Sequence, residues 1–242
     1  MAQNIYDDPA FFAGYSQLPR SVEGLDGAPE WATLRALLPD LEGRSVLDLG
    51  CGFGWFCRWA RRNGATRIVG VDVSERMLAR ARAADPDGAI LYARADLEQF
   101  TADPAAFDLA YSSLAFHYIE NLEALLAGIH AALVPGGKLI FSVEHPMFTA
   151  PSKPRWSVGA AGQPAWPVDG YLDEGPRSTD WLAEGVVKQH RTIGTYVELL
   201  LRACFTLSHI NEWGPSKEQV AAHPEWARER QRPPFLLIAC SR

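Results

Sequence analysis

Val46-Leu-Asp-Leu-Gly-Cys-Gly-Phe-Gly54 runs from an apolar stretch into three glycines spaced two apart. Ser45–Leu49 reads as a short strand stopped by the first glycine. Residues 55–63 return to helical spacing and end at Gly64, a suitable C-cap. Strand, glycine turn and helix in that order form a ligand-binding βα unit, because glycine turns tightly and leaves room where a Cβ would stand. The dinucleotide spacing G-x-G-x-x-G is not met: its third position falls on Trp55 counted from Gly50 and on Cys57 counted from Gly52. No G-K-[ST] follows, which excludes a nucleoside-triphosphate loop. Asp48 stands immediately before the glycines. Its charge would repel a pyrophosphate and favours a ligand carrying an ammonium and a sulfonium, the alternative being a structural cap of the turn.

Working outward, residues 28–40 form an amphipathic helix, with Trp31, Leu34, Leu37, Leu38 and Leu41 spaced at three and four. Arg67–Asp72 is a second strand, and Ser74 offers an N-cap hydroxyl to a helix reaching Ala84. Further strands are expected at 89–93, 107–111 and 138–143, the last entered through Pro135-Gly-Gly137, with a helix at 121–133. This alternation argues for an α/β fold with a parallel sheet covered on both faces. Helices at 195–203 and 216–230 and strands at 205–213 and 235–240 would complete seven strands. Residues 146–185 break the pattern with Pro146, Pro151, Pro154, Pro164, Pro167 and Pro176 among Trp156, Trp166 and Trp181. Forty structureless residues are unusual in a compact domain, and disordered linkers are poor in aromatics, so a lid is expected. The expected organisation is an N-terminal arm and partial lid at 1–27, a core at 28–145 and 186–242, and a lid or acceptor-binding insertion at 146–185.

The 242 residues carry a net charge of −6, which argues against nucleic acid and anionic lipid as partners. No run of eighteen apolar residues suggests a membrane span, and residues 1–12 lack a secretory pattern. Cys51, Cys57, Cys204 and Cys240 show neither CxxC nor zinc spacing, and the histidines show no H-E-x-x-H, so no metal is expected. A cytoplasmic monomer or homodimer is the expectation.

Two more carboxylates follow strands. Asp72 ends the second strand, where an acidic residue can accept both hydroxyls of a ribose. Asp96 follows the third, where it can accept from an adenine amino group while Leu97 offers a backbone N–H to the ring. Acidic ends of three successive βα units lie on one sheet edge, where ligands of such folds bind. With Val46–Gly54, the stretches Gly70-Val-Asp-Val-Ser74, Ala95-Asp-Leu97, Phe107-Asp-Leu-Ala-Tyr-Ser112 and Leu133-Val-Pro-Gly-Gly-Lys138 resemble the class I S-adenosylmethionine-dependent methyltransferases, in the group with a small-molecule methyltransferase 11 or 25 type domain. The resemblance covers roughly residues 44–143. It implies a Rossmann-like, mostly parallel sheet in the order 3-2-1-4-5-7-6. It implies S-adenosylmethionine as cofactor and S-adenosylhomocysteine as product. Asp48 would orient the methionine ammonium, Gly50 and Gly52 would line the methionine and ribose side, and Ser112 and Ser113 would stand near the methionyl end. Cys51 and Val73 fall on the same cofactor side, and Tyr15, in an aromatic N-terminal arm, is placed to fold over the cleft.

Transfer to a hydroxyl or ammonium needs a base, and an imidazole is the natural candidate. His117 and His145 follow the fourth and fifth strands, and His190 returns from the lid. Glu144, Arg155, Trp156, Arg191 and Tyr196 are the expected acceptor-binding residues, suited to a flat or anionic small molecule. Two alternatives stay open. One is methylation of tRNA or another nucleic acid, through Lys153 with Arg155 and Lys188 with Arg191. The other is a cofactor-binding regulatory protein without turnover.

Overall fold

The computed structural model describes residues 3–85 and 88–242. After a 3₁₀ turn (Ile5–Asp7), α1 (Pro9–Tyr15) and α2 (Pro19–Val22) precede α3 (Trp31–Leu37). Asp8 accepts from the Phe11 N–H at the start of α1, and prolines open α1 and α2, where the absent N–H goes unmissed. The expected helix at 28–40 is shorter at both ends. It starts beyond Pro29 and stops at Leu38, which is extended (ψ 142°) because Pro39 disfavours the helical conformation before it.

The alternation then follows: β1 (Ser45–Leu49), α4 (Trp55–Arg62), β2 (Arg67–Asp72), α5 (Glu75–Ala83), β3 (Leu91–Arg94), β4 (Phe107–Ser113), α6 (Leu122–Ala132) and β5 (Leu133–Glu144). Ser74 accepts from the Met77 N–H, so the expected cap is made, and Asn121 caps α6 by accepting from the Ala124 N–H. After β5 come α7 (Pro146–Thr149), the short pair β6 (Ser157–Val158) and β7 (Pro164–Ala165), and the hairpin β8 (Gly175–Trp181) and β9 (Ala183–His190). The chain closes with α8 (Ile193–Arg202), β10 (Thr206–Trp213), α9 (Lys217–Ala222), a 3₁₀ turn (Pro224–Arg230) and β11 (Phe235–Ser241). The helix expected at 216–230 is split. Ser216 and Gln219 close a capping box at its start, but Pro224 holds His223 out of the helical region (φ −131°, ψ 76°).

The main sheet runs β3-β2-β1-β4-β5-β11-β10, with β11 antiparallel to both neighbours and the other contacts parallel. Counted along the core this is 3-2-1-4-5-7-6, the expected order, with an insertion after the fifth strand. Both faces are buried, and alternate residues of one strand feed different cores. Leu139, Phe141 and Val143 of β5 pack with Leu122, Leu126 and Ile129 of α6, while Ile140 joins Trp31, Phe56 and Leu78 on the face of α3, α4 and α5. Among the described residues no helix is long and apolar enough to cross a membrane.

Candidate active site

The C-terminal ends of β1, β2, β4 and β5 open onto a cleft of about 1050 Å³. The N-terminal arm and the insertion supply its other walls, through Tyr15, Arg20, Trp181 and Lys188. At the glycine turn Gly50, Gly52 and Gly54 all have positive φ, at 78°, 52° and 69°. A Cβ on Gly50 would press on Ala115 and one on Gly54 on the Tyr92 hydroxyl, whereas one on Gly52 meets nothing within 4 Å. Gly52 therefore leaves open space at the cleft floor.

Asp72 lines the cleft with each oxygen already holding one backbone donor: the Gly52 N–H at 2.8 Å and the Ser74 N–H at 2.9 Å. This fixes the carboxylate plane and leaves each oxygen a further lone pair, the arrangement two vicinal hydroxyls require. Burial pushes Asp72 up to about 6, against the pull of those N–H groups. Asp96 accepts from the Glu98 N–H through Oδ1, while its buried Oδ2 has no donor among the described residues. An orphaned acceptor on the cleft wall suits an exocyclic amine. Leu97 and Val73 line the same wall.

Asp48 is buried in a small recess beside Gly50, Cys51 and Gly52 that shares Tyr15, Arg20, Gly50, Gly52 and Ser113 with the cleft. The Cys57 thiol donates to its Oδ2 at 3.2 Å. Burial, with the charge of Asp72 adding, raises Asp48 to about 7. A cation placed there would draw it back to the carboxylate form. Arg20 enters the same recess. Its Nη2 bonds both oxygens of the fully buried Glu30, at 3.0 and 3.2 Å. Sequence reading missed Arg20, because its partner lies in another element and no local spacing announces the pair. Tyr15 packs edge-on against Tyr6, Phe53 and Trp181 and lines the cleft.

Ser113 reaches the cleft; Ser112 does not, its hydroxyl donating to the Leu49 carbonyl at 2.7 Å between β4 and β1. Of the three candidate histidines only His117 is brought to the cleft. His145 caps α7, its Nδ1 accepting the Met147 N–H and its Nε2 donating to Glu212 at 2.9 Å. His190 donates through Nε2 to the Tyr171 carbonyl and accepts through Nδ1 from the Thr149 hydroxyl. Both rings are fully buried with both nitrogens engaged, so they brace the insertion and cannot take a proton from an acceptor.

His117 is nearly as buried, and desolvation brings it down to about 4. Its Nδ1 accepts the Glu144 N–H at 3.4 Å, which leaves the neutral ring's proton on Nε2 and makes that nitrogen a donor. Glu144 offers a second free acceptor, besides Asp96 Oδ2. Its Oε1 takes a 2.6 Å bond from Lys188 Nζ, and its buried Oε2 has no donor among the described residues.

The other expected acceptor residues divide. Arg155 lines the cleft with Lys153. Trp156 is not among the lining residues and packs edge-on to Trp166. Arg191 donates to the Ile119 and Glu120 carbonyls, at 2.6 and 2.8 Å, and Tyr196 is buried in the core; neither faces the cleft. Lys188, Trp181 and Arg232 line it instead. The hairpin β8–β9 brings in Trp181 and Lys188 and the loop before β11 brings in Arg232, placements set by tertiary folding that local spacing does not show. No group of three or more potential metal ligands occurs among the described residues.

Residues 47–141 match the family described as "Methyltransferase domain". An S-adenosylmethionine-dependent methyltransferase from Mesorhizobium loti is 54% identical, covers 90% of this chain and all of its own, and superposes with a TM-score of 0.88. An uncharacterised protein of Haemophilus influenzae is 34% identical over 97% of this chain and 95% of its own length. A malonyl-[acyl-carrier protein] O-methyltransferase of Erwinia billingiae is 36% identical over 101 residues, 42% of this chain and 39% of that protein.

Proposed function

The chain belongs to the class I S-adenosylmethionine-dependent methyltransferases, and from that premise we propose that it methylates a small-molecule acceptor held between the cofactor edge of the cleft and the insertion. When bound, the cofactor supplies a sulfonium methyl already activated for displacement, so the protein's part is to align the acceptor, exclude water and receive a proton. Asp72 would hold the ribose hydroxyls, Asp96 Oδ2 the adenine amine, and Asp48 the methionine ammonium. Arg20 would pair with the methionyl carboxylate.

The observation that carries the reading is Glu144 on the cleft wall, its Oε2 without a donor among the described residues and its backbone N–H bonded to Nδ1 of His117, which lines the same cleft. A carboxylate oxygen with no donor can take the proton of a hydroxyl or ammonium acceptor, and the neighbouring N–H of His117 can orient it. Lys188, bonded to the other oxygen, holds the carboxylate in place. This moves the base from histidine to Glu144. The small-molecule reading is also in keeping with the acidic net charge and with the malonyl-carrier methyltransferase among the partial matches.

The test is release of S-adenosylhomocysteine from S-adenosylmethionine with a panel of small hydroxyl- and amine-bearing compounds. The wild type should turn over at least one of them. Glu144→Gln keeps the Lys188 contact but removes the base, and should lower kcat by roughly 10²–10⁴ with cofactor affinity unchanged. Cofactor binding without release on any compound would favour the non-catalytic alternative.

A further inference from the structure

Arg232 follows the last 3₁₀ turn and lines the cleft, yet it is only 4% exposed. Its guanidinium rests on an aromatic shelf, 4.1 Å from the Trp166 ring centre, 4.3 Å from Phe148 and 5.2 Å from Trp156. The shelf is held rigid: Phe148 and Trp166 stack at 5.6 Å, and the Trp166 indole N–H donates to the Met147 carbonyl at 2.8 Å. Nη2 stands 3.1 Å from Glu229, but Nε and Nη1 have no acceptor among the described residues. Burial brings Arg232 down to about 10, against the attraction of Glu229 and Glu144.

A guanidinium withdrawn from water without acceptors for most of its N–H groups is costly unless a ligand completes it. Aromatic stacking covers its faces and leaves the in-plane N–H groups to be satisfied. The neighbouring charges say what kind of ligand fits. Glu144 is paired with Lys188, and Glu229 pairs with both Arg228 and Arg232, so this wall carries one uncompensated positive charge before a ligand arrives. A doubly charged phosphate would meet two nearby carboxylates, whereas a singly charged carboxylate adds half that repulsion. Lys153 and Arg155 at the same cleft supply its compensation. Phe148, Trp181, Trp213 and Phe235 line the cleft alongside and offer apolar surface to the rest of the molecule.

We propose that Arg232 anchors a carboxylate of the methyl acceptor, and that the acceptor is an aromatic or similarly apolar-bodied carboxylic acid. This rests on the methyltransferase reading and assigns the substrate class of the same cleft. Arg232 acts through affinity and alignment, apart from the proton transfer at Glu144.

The test is calorimetric titration of the protein, saturated with S-adenosylhomocysteine, with benzoate, phenylacetate and 3-phenylpropionate, each beside its amide, and with phenyl phosphate. At least one acid should bind about tenfold or more tightly than its amide, and Arg232→Met should erase that preference while affinity for S-adenosylhomocysteine is retained. Equal binding of acids and amides, binding of no acid, preference for phenyl phosphate, or an acid preference surviving in Arg232→Met would each overturn the proposal. The acid–amide comparison in the wild type decides it alone should Arg232→Met misfold. A wild type that fails to bind S-adenosylhomocysteine would overturn the cofactor reading beneath it.

Discussion

Asp48 and Asp72 are unlike ordinary surface carboxylates, since burial raises both, to about 7 and about 6, from 3.8. An ammonium beside Asp48 and hydroxyls donating to Asp72 favour the ionised forms, so ligand binding lowers both values and expels protons in the window between free and bound pKa. Calorimetry of S-adenosylhomocysteine binding in buffers of different ionisation enthalpy should therefore show proton release near about pH 6, fading towards about pH 8 where both groups are already ionised. Proton uptake near pH 6 would contradict the assignment. These residues were legible in the sequence because each sits at the end of a strand in a βα unit, a position fixed by local pattern. His145 follows β5 and His190 ends β9, but both their nitrogens are taken by partners 2 to 67 residues away, Met147 and Glu212 for one and Tyr171 and Thr149 for the other. Arg20 and Arg232 were illegible for the converse reason: Arg20 is set by its pair with the distant Glu30, and Arg232 by burial with Nε and Nη1 unpartnered among the described residues, neither of which spacing encodes.

At the scale of elements, the insertion was recognised by its prolines and tryptophans, but not its extent. The hairpin β8–β9 continues to His190, past the expected boundary at 185, because β9 reads as an ordinary amphipathic strand whose partner was hidden in the proline-rich stretch. The hairpin also meets the N-terminal arm. Gln3 donates to the Gly185 carbonyl and accepts the Val187 N–H, while Phe11 and Tyr15 pack edge-on against Trp181. We propose that arm and hairpin form one cover over the cleft, tied at these contacts. Hydrogen exchange should then slow on adding S-adenosylhomocysteine in α1, α2 and β8–β9 together, with β10 and β11 little changed. Protection confined to the glycine turn would separate the cover from the cofactor.

For the whole molecule, the order of strands follows from a short list of physical choices. Parallel βα units stack outward from β1 to β3 on one side and through β4 to β5 on the other, and the last two strands close the edge with β11 reversed. Parallel pairing gathers the C-terminal ends of β1, β2, β4 and β5 at one cleft, where the strand-end carboxylates meet a ligand. We propose that this edge binds S-adenosylmethionine through Asp72. The most direct test is titration of the wild type and Asp72→Ala with S-adenosylhomocysteine by calorimetry, with circular dichroism to show both folded. The wild type should bind one equivalent, and the variant about ten- to a hundredfold more weakly, the worth of hydrogen bonds to a charged group. No binding by the wild type, or the same affinity in a folded Asp72→Ala protein, would contradict the account.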